Sequence, residues 1–258
     1  MRFTVLGSGS KGNCTLVESG TTRLLIDNGF SGKEIVGRLE RLGLDPNLLT
    51  ALVITHEHDD HIKGVGVLAR RLQIPVYANA ATHRAAQPRI GHLPRPREFG
   101  VGEPFVIGDL QIHPFAVSHD CADPVGFVVG NGTSSLGYCT DTGKITRLIR
   151  HHLQRCQALV LEANHDLEML QEGPYPLALK QRVRSSRGHL ANGDSMELAA
   201  GLAAGQLRLL VLAHLSEINN HPDRVRAEVR RCLRPDHTAL RVLLAEQHQT
   251  GPFLDIDP

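Results

Sequence analysis

Thr55-His56-Glu57-His58-Asp59-Asp60-His61 is the stretch on which the reading of this chain turns. From His56 to His61, three histidines and two aspartates occupy six consecutive positions. Residues 48–54 before it are almost wholly apolar and read as a buried strand; residues 62–73 after it read as a helix. The histidines therefore fall on a loop at the carboxyl end of a strand, where open α/β sheets place their sites. His56 and His58, two apart, project to the same side and suit one ion through neutral imidazole nitrogens. Asp60 and His61 turn toward a neighbouring ion as the chain enters the helix. Glu57 and Asp59 alternate with this set and face away. A polar turn capped by Asp60 would need one acidic residue and no histidines. The pattern is His-x-His and Asp-His on a loop, unlike H-E-x-x-H on a helix.

Composition sets the frame. The 258 residues suffice for a substantial core and read as one domain over 1–258. Apolar content of 41% and charged content of 21% fit a soluble globular protein. The start, Met1 to Leu6, is too short an apolar run for a signal peptide or a membrane span. Cys14, Cys121, Cys139, Cys156 and Cys232 are scattered and form no C-x-x-C pair, which argues for reduced thiols in the cytoplasm and against a thiolate zinc site. A net charge of +1 and the absence of tryptophan give no global argument for nucleic acid and no evident base-stacking platform.

Gly7-Ser8-Gly9-Ser10-Lys11-Gly12 is a literal G-x-G-x-x-G with Asp27 further on, as a dinucleotide site would have. That fingerprint needs a helix after the glycines. Residues 13–20 are instead β-branched and close in a turn, so consecutive antiparallel strands are expected and the nucleotide reading is rejected. The loop is either a plain glycine turn or a cradle in which Ser8, Lys11 and Asn13, with Ser10, reach a phosphate. Residues 31–42 form a helix opened by the Ser31/Glu34 capping box and closed by Gly43. Residues 87–102, rich in Pro, Gly and Arg, read as a loop.

Later strands also end in polar residues. An apolar run reaches Ser118-His119-Asp120; a hairpin around Asn131-Gly132 leads to Thr140-Asp141-Thr142-Gly143. Asp141 is either a cap for a helix from Lys144 or a carboxylate whose two oxygens bind two cations at once. The strand at 158–162 ends in Glu162-Ala163-Asn164-His165-Asp166, and the strand at 208–213 in His214-Leu215-Ser216. Between them lies the one basic run, Lys180 to His189, holding Arg184 and Arg187; a solvated helix face is its plain reading. Asp194 with Glu197 would cap the next helix.

Thr55-His56-x-His58-x-Asp60-His61 resembles the H-x-H-x-D-H signature of the metallo-β-lactamase fold hydrolases, and His119, Asp141, Gly188-His189 and Ala213-His214-Leu215-Ser216 follow the same pattern nearly end to end. The chain is most similar to the compact YycJ/WalJ-type branch, described as exonucleases. The resemblance implies an α/β fold: a four-layered αββα sandwich of two mixed β-sheets flanked by helices. It implies a first ion on His56, His58, His119 and Asp141, and a second on Asp60, His61, Asp141 and His214, with Asp27 supporting the loop. Every ligand is N or O, so the expected cofactors are two divalent metal ions, zinc or manganese. The expected chemistry is attack on phosphorus by a hydroxide held between the ions, with Asp60 beside it. His189, oriented by Glu162, would donate to the phosphate, as in RNase Z-like members. Ser8, Lys11, Asn13, Arg184, Arg187 and His165 are the candidate substrate contacts. A 5′-to-3′ exonuclease on DNA is the expected activity, with DNA favoured over RNA as partner and no membrane involvement. Hydrolysis of a small ester (a cyclic phosphodiester or a glutathione thioester) at the same centre is the alternative.

Overall fold

The computed structural model describes residues 1–233 and 240–256. From the N-terminus, β1 (Arg2–Gly7), β2 (Cys14–Ser19) and β3 (Thr22–Ile26) pair antiparallel in succession. No helix follows the glycine-rich loop, so the dinucleotide geometry is absent. Helix α1 (Gly32–Arg41) opens with Ser31 Oγ accepting from the Glu34 N–H at 3.2 Å. Half of the capping box forms; the Glu34 carboxylate instead takes Arg38 Nη2 at 2.8 Å. There follow β4 (Ala51–Val53), α2 (Asp59–Ile62), α3 (Val65–Leu72), β5 (Val76–Ala78), α4 (Ala80–Ile90) and β6 (Pro96–Glu98).

Two expectations need correction here. The single helix over 62–73 is broken at Gly64, where a Cβ would overlap the Phe30 carbonyl and the chain is pressed against its neighbour. The loop over 87–102 contains the end of α4 and all of β6. Asn79 caps α4 through the Thr82 N–H at 2.9 Å, and Pro88 sits in the last turn, next to the terminus. β6 is an edge strand, which tolerates Pro96 at its first position.

The second half runs β7 (Phe105–Ile107), β8 (Leu110–Ala116), β9 (Val125–Gly130), β10 (Ser135–Cys139), α5 (Arg147–Leu153), β11 (Ala158–Glu162), α6 (Leu167–Glu172), α7 (Leu177–Arg184), α8 (Asn192–Ala203), β12 (Leu209–Ala213), α9 (Pro222–Cys232), β13 (Arg241–Leu244) and β14 (Leu254–Asp255). The β9–β10 turn closes with Asn131 Oδ1 accepting from the Ser134 N–H at 2.9 Å. Thr146, not Asp141, caps α5, which leaves the Asp141 carboxylate free of helix duty. Asp194 lies inside the first turn of α8, whose N-cap is Ala191, so the expected cap does not form.

Among the described residues the strands make two seven-stranded sheets, ordered β14-β1-β2-β3-β4-β5-β6 and β13-β12-β11-β10-β9-β8-β7. The strand period of two separates their faces. Leu24 and Ile26 join Phe3, Val17, Phe127, Tyr138 and Val160 between the sheets. Leu25, on the opposite face of β3, packs with Ile35, Leu39, Leu52 and Leu68 beneath α1 and α3. Leu161 and Leu212 pack outward with Leu153, Met196 and Val225 beneath α5, α8 and α9. The layers are helix, sheet, sheet, helix, so the αββα sandwich is observed. Each Leu or Phe fully buried in these layers contributes roughly 1.5–3 kcal/mol, which holds the strand ends in place. β1, β3 and β4 point one way in the first sheet, as do β8, β10, β11 and β12 in the second. Their carboxyl ends carry the polar residues identified above. Among the described residues no helix is long and apolar enough to cross a membrane.

Candidate metal centre

The backbone is bent at the strand tips that matter. Asp27, Asp141 and His214 take φ of 60°, 55° and 56°, in the left-handed region. Aspartate tolerates that region; for histidine it carries strain of order 1–3 kcal/mol. Hydrogen bonds hold His214 there: its N–H donates to Ser8 Oγ at 2.8 Å, and its carbonyl accepts from Asn164 Nδ2 at 3.0 Å.

These bends bring the expected ligands from separate strands into one cluster. His58 Nδ1 and His119 Nε2 stand 3.2 Å apart, and the His56 ring lies edge-on to both. Asp60 Oδ2 is 3.2 Å from His214 Nε2 and 3.5 Å from His61 Nε2. Asp141 lies between the two sets, with Oδ2 3.2 Å from His61 and Oδ1 3.4 Å from His214 and 3.8 Å from His119. Two ligands that share one cation at about 2.1 Å stand roughly 3.0–3.4 Å apart. Most of these separations have that size.

The donor chemistry fits a cation as well. His61 Nδ1 faces Asp27 at 2.8 Å and His119 Nδ1 faces the Gly188 carbonyl at 3.0 Å, which turns each Nε2 inward as a bare acceptor. His56 Nε2 and Asp141 Oδ2 are buried without a hydrogen bond. Acceptors facing acceptors without a proton between them are satisfied by a positive ion. The electrostatics say the same. Burial opposes ionisation of Asp60 and Asp141, yet the surrounding imidazoles hold both carboxyls well below their usual range. Burial opposes charge on His61 and His214 too, and Asp141 with its neighbours nonetheless lifts both well above the imidazole range. His56 goes the other way, lowered by burial and then by His61. The cluster thus demands positive charge on its Asp60–His61–Asp141–His214 side, which divalent cations would supply.

A second layer fixes the ligands. Asp27 accepts from the Thr55 N–H, from Thr55 Oγ1 and from His61 Nδ1, each at 2.8 Å. Asn13 Nδ2 donates to the Gly9 carbonyl at 3.1 Å and reaches Asp60 Oδ2 at 3.2 Å; its Oδ1 accepts from Ser8 Oγ at 2.8 Å. Ser8 and Asn13 are buried, so within this structure they brace the ligand loops. Glu162 Oε1 meets His189 Nδ1 at 2.6 Å, and its Oε2 accepts from the Thr142 and Leu190 N–H groups, both at 3.1 Å. His189 stacks on His214 with ring centroids 5.2 Å apart.

The remaining candidates lie outward. Lys11 Nζ is exposed and pairs with Glu217 Oε2 at 2.6 Å. Arg184 is exposed and, with Gln171, Leu177, Lys180 and Gln181, lines a cavity of about 400 Å³. Arg187 is exposed and donates from Nε to the His119 carbonyl at 3.2 Å. His165 is buried with Nδ1 unpaired; burial, more than His189 and Arg184 nearby, takes its pKa down to about 4.

Sequence reading missed three supports. Asn164 Nδ2 lies 3.1 Å from His214 Nδ1 as well as on its carbonyl. Gln247 pins the glycine-rich loop, accepting from the Lys11 N–H at 2.7 Å and donating to the Gly12 carbonyl at 2.9 Å. Asp120 Oδ1 is buried 3.5 Å from His119 Nε2. Asn164 was visible within a polar strand end; nothing in the sequence marks Gln247, which meets the loop only through the fold.

The chain is similar to known proteins in sequence and in fold. Residues 22–215 match the family described as Beta-lactamase superfamily domain. The exodeoxyribonuclease YycJ of Bacillus anthracis is 38% identical over 235 residues, covering 90% of this chain and 89% of its own. The exodeoxyribonuclease WalJ of Streptococcus pneumoniae is 37% identical over 223 residues, covering 85% and 83%. The crystal structure of the metallo-β-lactamase fold protein YhfI from Bacillus subtilis superposes with a TM-score of 0.76 at 19% identity, over 98% of this chain and 99% of that one. Matched over most of its length in family and in fold, this chain belongs to the beta-lactamase superfamily and has the metallo-β-lactamase fold.

Proposed function

We propose that the chain is one hydrolase domain acting as a metal-dependent nuclease, an exonuclease on DNA that works 5′ to 3′. Two divalent cations, zinc or manganese, would be held by His56, His58, His119 and Asp141 and by Asp60, His61, Asp141 and His214. The observation that carries this reading is Asp141, whose carboxylate reaches both ligand sets, with Oδ2 3.2 Å from His61 and Oδ1 3.4 Å from His214 and 3.8 Å from His119. Cations bound there lower the pKa of a water toward neutrality and offset negative charge on a phosphoryl oxygen. Glu162 holds His189 through Nδ1, so His189 presents Nε2 as a donor to the phosphate or the leaving oxygen. Arg184 and Arg187 bind the phosphates of the strand near His189, and Lys11 does so once released from Glu217. Asp60 orients the attacking water.

DNA is favoured over RNA because the YycJ and WalJ relatives are named exodeoxyribonucleases. The five unpaired cysteines support a reducing compartment, the cytoplasm. The test is digestion of end-labelled DNA and RNA oligonucleotides with zinc or manganese, comparing wild type with Asp141→Asn. Stepwise shortening of DNA by wild type, lost in the variant, is expected. Intact oligonucleotides alongside turnover of a cyclic phosphodiester or glutathione thioester would overturn the assignment.

A further inference from the structure

The net charge of +1 conceals an uneven distribution. From His61 to Arg97 the chain carries seven Lys or Arg and no Asp or Glu, out of 28 and 27 in the whole sequence. All seven are exposed. Among the described residues Arg89 alone of them makes an ion pair, with Asp59 at 3.0 Å. The fold gathers this segment beside the metal centre, because helix α4 is tied to the ligand loops at both ends. At its start Asn79 Nδ2 donates to the Asp123 carbonyl at 2.7 Å, shortly after His119 in the chain. At its end Arg89 Nη1 donates to the carbonyl of Glu57, between His56 and His58, at 3.2 Å. Arg84 stands between these ties. Arg70 Nη1 joins α3 to the end of α4 through the Ile90 and His92 carbonyls, at 2.8 and 2.9 Å. His83 Nε2 joins α4 to β6 through the Arg97 carbonyl at 2.9 Å. A cavity of about 310 Å³ lies between α4 and β6, with His83, Arg84, Gln87 and His92 in its wall and Glu98 its one carboxylate among the described residues.

Resting on the proposed nuclease reading, we infer that α4 and the β6 edge form the track for the DNA beyond its cleaved end, with Arg84, Arg95 and Arg97 binding its phosphates. Exposed guanidinium groups without a carboxylate partner suit phosphate oxygens, which they meet with parallel N–H bonds. An added protein strand fits this edge poorly. Pro94 and Pro96 remove backbone donors from it, and the charges along it oppose strand addition. Phosphate contacts carry no base information, so an enzyme that shortens a strand step by step keeps its hold at every register.

The test combines Arg84→Gln, Arg95→Gln and Arg97→Gln in one variant. A second variant, with Arg147→Gln, Arg155→Gln and Arg230→Gln, removes the same charge from exposed positions outside this segment. Melting temperatures check that both fold. Fluorescence anisotropy of a labelled phosphorothioate DNA, which resists cleavage, is read across a salt series. Turnover of bis(p-nitrophenyl) phosphate, which carries a single phosphate, is read beside it. The first variant is expected to bind DNA at least about ten-fold more weakly, with the slope of log affinity against log salt reduced by roughly two to three. Its turnover of the small ester should match wild type, and the second variant should bind DNA within about two-fold of wild type. Unchanged DNA affinity and salt slope in the first variant overturn the inference. An equal loss in the second also overturns it, since only overall charge would then matter. Self-association of the first variant in sedimentation, with DNA affinity intact, would assign the arginines to keeping β6 unpaired and overturn it too. A wild type that binds DNA through these arginines yet turns over neither DNA nor the small ester would overturn the proposed function and leave this inference standing.

Discussion

His189 Nδ1 lies 2.6 Å from Oε1 of Glu162, a carboxylate with no solvent exposure. Burial works against ionising Glu162, but His189 and the hydrogen bonds to the carboxylate bring its pKa down to about 2. In turn, burial would lower the His189 pKa, and the Glu162 charge raises it instead. The Glu162 charge therefore favours the protonated form of His189, the form that can donate.

Replacing Glu162 by Gln removes that charge while keeping the shape. Single-turnover cleavage of a DNA oligonucleotide should slow by about a hundred-fold, the size of a lost general-acid contribution. Combining Glu162→Gln with His189→Ala should cost little more than His189→Ala alone, because the two act as a unit. Additive losses would separate their roles.

Asp27 accepts three hydrogen bonds at 2.8 Å and sets the tautomer of His61. Asp27→Asn can no longer accept on both atoms. Cation affinity, measured by competition with a chromogenic chelator, should fall roughly 10–100-fold. Unchanged affinity would show that His61 is oriented by other contacts.

Gly143 is pressed against the backbone of the loop that leads to His189. An added Cβ would lie 2.6 Å from Arg187 N and closer still to Ser185 O. Gly143→Ala should destabilise by about 1–3 kcal/mol in urea unfolding and slow cleavage, since backbone must shift. Gly37, inside α1, has open space at the same position, so Gly37→Ala should stabilise by roughly 0.5–1 kcal/mol. Equal effects at both sites would contradict the close approach at Gly143.

His165 gives the stability a pH dependence. Its folded pKa of about 4 is below the ordinary 6.5, because burial disfavours the charged ring. Above pH 6.5 both states are neutral there and the group adds no dependence. As pH falls from about 6.5 to about 4, the unfolded chain takes a proton that the folded chain refuses, and stability drops; below that the effect levels off. His165→Gln should flatten this stretch of the melting-temperature profile. A profile with the same slope in the variant would assign the acid loss to other groups.

The sequence by itself determined a good deal. The β-branched run after Gly12 excluded a nucleotide loop, and the crowding of His56, His58, Asp60 and His61 marked a metal-type site, because such signals lie within a few consecutive residues. His119, Asp141, Glu162, His189 and His214 were readable only as polar ends of apolar strands, or through resemblance to a family. Their convergence was decided by the tertiary structure: two sheets align their carboxyl ends at one edge, and left-handed backbone at Asp27, Asp141 and His214 turns the side chains inward. The break at Gly64, the edge strand at Pro96 and the grip of Gln247 on the glycine-rich loop were equally beyond local reading. Each depends on contact between segments distant in the chain, and propensity along the sequence carries no record of which backbone will arrive opposite.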